Sequence, residues 1–136
     1  MNPIPSVQAM LVCEKIIEEA GSGKKSLINL FTEVRSNGLP VSMAMALYVR
    51  LTDGEGMYVF KVDIVHLQTD KKIASATLPG IESTDRLRPM EVVILIPRID
   101  FGEAGKYEFQ IYANDVFLGH SSVDVGVAGA KPDASN

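Results

Sequence analysis

Between Val41 and Leu67 apolar residues fall on every second position along two arms, and this alternation restricts the chain more than any other feature of it. On the first arm Val41, Met43, Met45, Leu47, Val49 and Leu51 share a face, while Ser42, Ala44, Ala46, Tyr48, Arg50 and Thr52 point the other way. A period of two is that of a strand with one buried side. On the second arm Tyr58, Phe60, Val62 and Ile64 share a face, and Met57, Val59, Lys61, Asp63 and Val65 the opposite one. Asp53-Gly54-Glu55-Gly56 is expected to fold the arms back on each other as a hairpin, with Leu51 facing Tyr58, Val49 facing Phe60, Leu47 facing Val62 and Met45 facing Ile64. A slip of one residue would expose one arm's whole apolar set, so the register should be strongly specified.

The flanking segments extend the same reading. Ser6–Ala20 carries a helical stripe (Ala9, Cys13, Ile16, Ile17, Ala20) and also an alternation (Val7, Ala9, Leu11, Cys13). A strand is preferred, because a hairpin through Gly21-Ser22-Gly23-Lys24 into a strand over Ser26–Val34 agrees with the remainder of the chain. Asn37–Pro40 and Gln68–Lys72 read as turns. Lys72–Leu78 is a weakly apolar strand that suits a sheet edge, and Pro79–Pro89 is a long connection able to cross between sheets. Val92–Ile96, a solid apolar run, is expected to be covered on both faces, with its ladder interrupted at Pro97. Lys106–Ala113 alternates again, and Asn114-Asp115 suits a type I′ turn. That turn would set Ala113 opposite Val116, Ile111 opposite Leu118 and Phe109 opposite His120. Residues 126–136, rich in Gly, Ala and polar types, are expected to be a disordered tail. The chain thus reads as one domain over 1–125: all-β, a two-layer antiparallel β-sandwich of about eight strands.

Composition narrows the function. A chain of 136 residues, 46% hydrophobic and 22% charged, can bury a core without staples. A net charge of −4 with scattered Lys and Arg argues against nucleic acid, whose phosphates require clustered cations. Cys13 is the single cysteine, so an internal disulfide is impossible and a reducing, cytoplasmic setting is expected. Met1–Ser6 lacks a leader pattern, and the apolar runs are shorter than a membrane span, so no membrane association is expected.

Asp100-Phe101-Gly102-Glu103-Ala104-Gly105-Lys106-Tyr107-Glu108-Phe109 resembles the entry to the penultimate strand of immunoglobulin-like and fibronectin-type sandwiches, where a small residue and a Tyr form the tyrosine corner. Phe109 occupies the position of the antibody cysteine, so the resemblance carries no inter-sheet disulfide. Val7-Gln8-Ala9, Gly23-Lys24-Lys25-Ser26-Leu27-Ile28-Asn29-Leu30-Phe31, Tyr48-Val49-Arg50-Leu51-Thr52-Asp53 and Gly105–Phe109 are also similar to a family of small bacterial proteins of unknown function. That resemblance implies a stand-alone sandwich and supplies no activity.

Each chemically suggestive residue has a simpler structural reading. Gly21-Ser22-Gly23-Lys24-Lys25-Ser26 lacks the spacing of a phosphate-binding loop, with Glu18 and Lys25 at the positions where Gly and Ser or Thr are required. His66 and His120, placed by the expected registers on apolar-facing positions opposite Met43 and Phe109, have no metal-ligand spacing and read as packed or half-exposed residues. Cys13, among Leu11, Val12 and Ile16, reads as an inert core thiol. Asp53, Glu55, Asp85, Asp100, Glu103 and Asp115 fall in loops without the dense spacing of a calcium site. Tyr48, Arg50, Lys61 and Asp63 project from the non-core face of the expected hairpin, as a mixed-charge surface with an aromatic anchor or as ordinary solvent-facing sheet.

No catalytic, cofactor-binding or metal-ligating residue is assigned, and no cofactor. The chain is expected to be a non-catalytic β-sandwich module that acts through a protein partner or self-association, with a small-ligand or calcium-binding sandwich as the alternative.

Overall fold

A computed structural model describes residues 2–129. In chain order these form β1 (Ser6–Glu18), β2 (Lys25–Leu30), β3 (Glu33–Ser36), β4 (Val41–Thr52), β5 (Gly56–His66), β6 (Lys71–Ser83), β7 (Met90–Phe101), β8 (Gly105–Ala113) and β9 (Val116–Val127). Nine strands replace the expected eight, because Ser26–Val34 is broken into β2 and β3. Asn29 takes a positive φ of 56°, and the chain leaves one sheet at Phe31 and joins the other at Thr32, whose carbonyl accepts from Asp124 N. The expected tail loses its first residues: Gly126 and Val127 belong to β9, and the rest of that segment beyond residue 129 lies outside the described residues. Among the described residues no helix is long and apolar enough to cross a membrane.

The strands form two sheets, ordered β2-β1-β4-β7 and β3-β9-β8-β5-β6, packed face to face. Pairing is antiparallel except for β3 with β9, a parallel contact at the sheet edge that the antiparallel expectation did not include. The orders β1-β4-β7 and β9-β8-β5-β6 are those of strands A-B-E and G-F-C-C′ in immunoglobulin sandwiches. The chain therefore has the all-β, immunoglobulin-like architecture.

The expected hairpin of β4 and β5 does not exist. β4 pairs with β1 and β7, and β5 with β6 and β8, so the two strands lie in opposite sheets. Their apolar faces do meet, but across the core: Leu47, Val49, Leu51, Phe60 and Val62 are all 0% exposed. Alternation dictates which face is buried and is indifferent to which strand supplies the hydrogen bonds. The short loop crosses between sheets, and it is locked in place. Tyr58 Oη accepts from Glu55 N at 2.9 Å and donates to Pro3 O at 2.6 Å, while Ser83 Oγ donates to Gly54 O at 2.8 Å.

β7 is an edge strand with one face open, not a doubly covered one: Val92 and Ile94 are buried while Leu95 is 67% exposed. A bulge does fall at Pro97-Arg98, between the pairs Met45–Ile96 and Met43–Ile99. β6 is an edge strand as expected, but runs on to Ser83. The β1–β2 hairpin forms, and Asn114 and Asp115 (φ 47° and 68°) make the I′-type turn with Ala113 opposite Val116. A bulge at Leu118 then shifts β9, so Phe109 faces Ser121 and His120 faces Gln110 on the outer side. The tyrosine corner is present: Tyr107 Oη donates to Glu103 O at 2.7 Å.

Candidate functional site

The chemically suggestive residues are dispersed. Cys13 is fully buried on β1, and burial pushes its thiol up. His66, at the end of β5, is 3% exposed, with Nε2 donating to Ala104 O (3.0 Å), Nδ1 against Thr69 Oγ1 (2.8 Å) and its ring centroid 4.7 Å from that of Tyr107. It braces the corner between β7 and β8, and its strand neighbours are Tyr107 and Lys71, not Met43. His120 is exposed on β9, 3.7 Å from Glu108. The acidic loop residues divide between the two ends of the sandwich. The pairs Gly56–Ser83 and Phe60–Ala113 place Asp53, Glu55, Asp85 and Asp115 at one end. Leu67 N bonded to Lys106 O places Glu103 at the other, and Asp100 is in no loop but on β7, opposite Ser42. Among the described residues no three His, Cys, Asp or Glu side chains group as metal ligands would.

The residues expected on one surface fall on two. Lys61 and Asp63 lie on the outer face of the five-stranded sheet, Tyr48 and Arg50 on that of the four-stranded sheet, because β5 and β4 belong to opposite layers. The first face carries an apolar and aromatic cluster at its β8–β9 end. Met57 (50% exposed), Val59 (42%) and Phe117 (51%) lie on this face with Tyr112. The Tyr112 and Phe117 rings meet edge to face at 5.7 Å, and Lys61 Nζ sits 4.8 Å over the Tyr112 ring. Below them Asp63, 7% exposed, accepts from Ser75 Oγ at 2.7 Å and lies 3.8 and 3.9 Å from Lys61 and Lys72. Local sequence builds this patch. Asn114 of the turn accepts from Val59 N through its side chain (2.9 Å) and donates to Met57 O (3.3 Å), tying the start of β5 to the β8–β9 end. The alternation sets Met57 and Val59 on the face of Lys61 and Asp63 but does not single out Tyr112 or Phe117. The signal was present: the turn that pairs Ala113 with Val116 also pairs Tyr112 with Phe117.

The second face is covered. Beyond Cys13, β1 pairs only with β2, and the ribbon bends back over its own sheet. Lys25, at the ribbon's far end opposite Glu18, reaches Glu91 Oε1 at 2.8 Å, although Glu91 pairs with Arg50 and Arg50 with Ala9, near the start of β1. This third layer explains why Cys13, Ala46 and Tyr48, on the outward side of the sheet, are buried. Tyr48 Oη donates to Glu91 Oε2 at 2.5 Å.

The charges of this clasp bias one another. The Lys25 hydrogen bond, then that of Tyr48, holds the Glu91 carboxyl below its ordinary 4.5, and Glu91 holds the Lys25 ammonium above its ordinary 10.5. Glu91 therefore adds stability above its unfolded-state value, lost as pH falls through the lower folded-state one; Lys25 adds stability below 10.5, lost as pH rises through its higher folded-state value. The stability gap between wild type and Glu91→Gln, followed by urea titration, should be level between 4.5 and 10.5 and close on acidification below that window. A gap that stays constant down to the acid limit would show that the carboxylate charge contributes nothing.

Residues 8–126 match the model of a family described as "Family of unknown function (DUF6941)". The chain belongs to this family. The matched span of the DUF6941 chain includes both sheets, the tyrosine corner and the folded-back ribbon. No curated protein matches it. Among solved structures it is similar to an immunoglobulin-like protein from Pseudomonas aeruginosa, at 13% identity and a TM-score of 0.40, over 91% of this chain and 98% of that one.

Proposed function

We propose that this DUF6941 chain is a non-catalytic binding module that holds a protein partner on the outer face of its five-stranded sheet. The observation that carries the reading is the exposure of Met57, Val59 and Phe117 on the face that carries Tyr112. Isolated exposed apolar side chains are ordinary, but a cluster with two aromatic rings, bordered by charge, has the make-up of an interface centre with a polar rim. The Lys61 ammonium over Tyr112 supplies part of that rim. The rigid β8–β9 turn and its Asn114 anchors hold the patch in place, so little ordering entropy is lost on binding.

Affinity capture from an extract of the source cells, with three baits, tests this. Phe117→Asp should lose a partner that wild type and Leu95→Asp, altered on the opposite sheet, both retain. Equal retention by all three baits, or the absence of any partner on wild type, would remove the outer face as the working surface. Because Phe117 is half exposed, its replacement should leave the melting temperature close to that of wild type.

A further inference from the structure

We propose that residues 15–28 are a releasable strap: a β-hairpin clasped over the outer face of the four-stranded sheet by Lys25 and Glu91, whose lifting uncovers Cys13, Ala46 and Tyr48. The hydrogen-bond pattern makes the ribbon separable. Among the described residues β1 pairs with β4 only as far as Cys13–Ala46, and β2 pairs with β1 alone, so raising the ribbon breaks no ladder to the rest of the sheet. Regions with few ties to the remainder open at a free energy well below that of global unfolding.

What holds the strap closed is a small set of contacts. Ile16 and Leu27 are half-buried on one face of the ribbon, while Ile17 and Ile28 are exposed on the other. The Lys25–Glu91 pair, with Tyr48 on the second Glu91 oxygen, is the polar clasp at its far end. The closed state also carries a cost. Arg50 Nε, beside this clasp, is buried with no hydrogen-bond partner among the described residues, and an unsatisfied donor of this kind regains water when its cover lifts. The hinge lies where β1 bends after Cys13, opposite the positive-φ Asn29, whose amide donates to Glu14 Oε1 at 3.2 Å. On release the buried strip would join the exposed Leu11 and Leu95 on the same side of the sheet.

Cys13 is the only cysteine, so it reports the opening without engineering. Labelling with dithiodipyridine under native conditions measures how often the thiol is uncovered. Lys25→Met should accelerate labelling roughly five- to tenfold with little change in melting temperature, since it removes a clasp and no core contact. Phe109→Ala, which weakens the core beneath the other sheet, should leave labelling near the wild-type rate. Hydrogen exchange should show the Lys15–Ile28 amides exchanging well ahead of those in β4 and β7. The proposal is overturned if Lys25→Met labels at the wild-type rate, if Phe109→Ala speeds labelling in step with its loss of stability, or if the ribbon amides exchange only with the global core.

Discussion

Phe60→Ala is expected to lower the unfolding free energy by about 3–5 kcal/mol and the melting temperature by roughly 10–20 °C. Phe60 is 0% exposed in the centre of β5, its ring 5.9 Å from that of Tyr58, and it faces the buried residues of β4 across the sandwich. Truncation forfeits the transfer of a phenyl group from water and leaves a void that residues hydrogen-bonded into two sheets cannot collapse to fill. With total stabilities of about 5–15 kcal/mol for domains of this kind, the loss is a large share. The adjacent position provides the control. Val59 is 42% exposed on the opposite face, so Val59→Ala should change stability by no more than about 0.5 kcal/mol. Urea unfolding of the two variants decides the matter, and similar losses for both would contradict the assignment of β5 to a sheet with a single buried face.

Gly105→Ala should cost about 2–3 kcal/mol, out of proportion to one methyl group. Gly105 has φ +136°, a conformation L side chains rarely adopt, and a Cβ there would lie 2.5 Å from Gln68 Oε1 and 2.7 Å from His66 Nε2. Gln68 is the end of a flexible side chain and can move. His66 cannot move cheaply, being buried, packed against the Tyr107 ring and bonded to Ala104 O. The substitution therefore strains the backbone and dislodges the imidazole that closes the corner between β7 and β8. His66→Ala should then lose part of its own effect in a Gly105→Ala background, because both changes break the same arrangement. Denaturant titration of the two single variants and the double variant measures this. Additive losses would mean that Gly105 acts through backbone strain alone.

Much of the architecture was legible in the residues because alternation records burial directly. The buried faces of β4, β5 and β8, the β1–β2 hairpin, the I′-type turn at Asn114-Asp115, the break at Pro97 and the tyrosine corner all follow from local sequence. The interaction face was only half legible. The polar side of β5 marks Lys61 and Asp63, yet a β4–β5 hairpin would set them beside Tyr48 and Arg50, which the fold sends to the other side of the molecule. His120 was misplaced for a similar reason: one extra residue at Leu118 turns everything after it to the opposite face, and nothing in the local pattern announces a bulge.

By itself the sequence determined which side of β4, β5 and β8 packs inward, where the chain must turn, and hence that β-layers enclose one core. Only the tertiary structure decided that β4 and β5 confront each other from separate sheets, that β3 crosses to run parallel with β9, and that the first hairpin folds back until Lys25 meets Glu91. The physical reason is one of range. Burial is a property of each residue and leaves its mark along the chain, whereas strand pairing and layer contacts are choices among distant partners whose backbone hydrogen bonds are chemically identical.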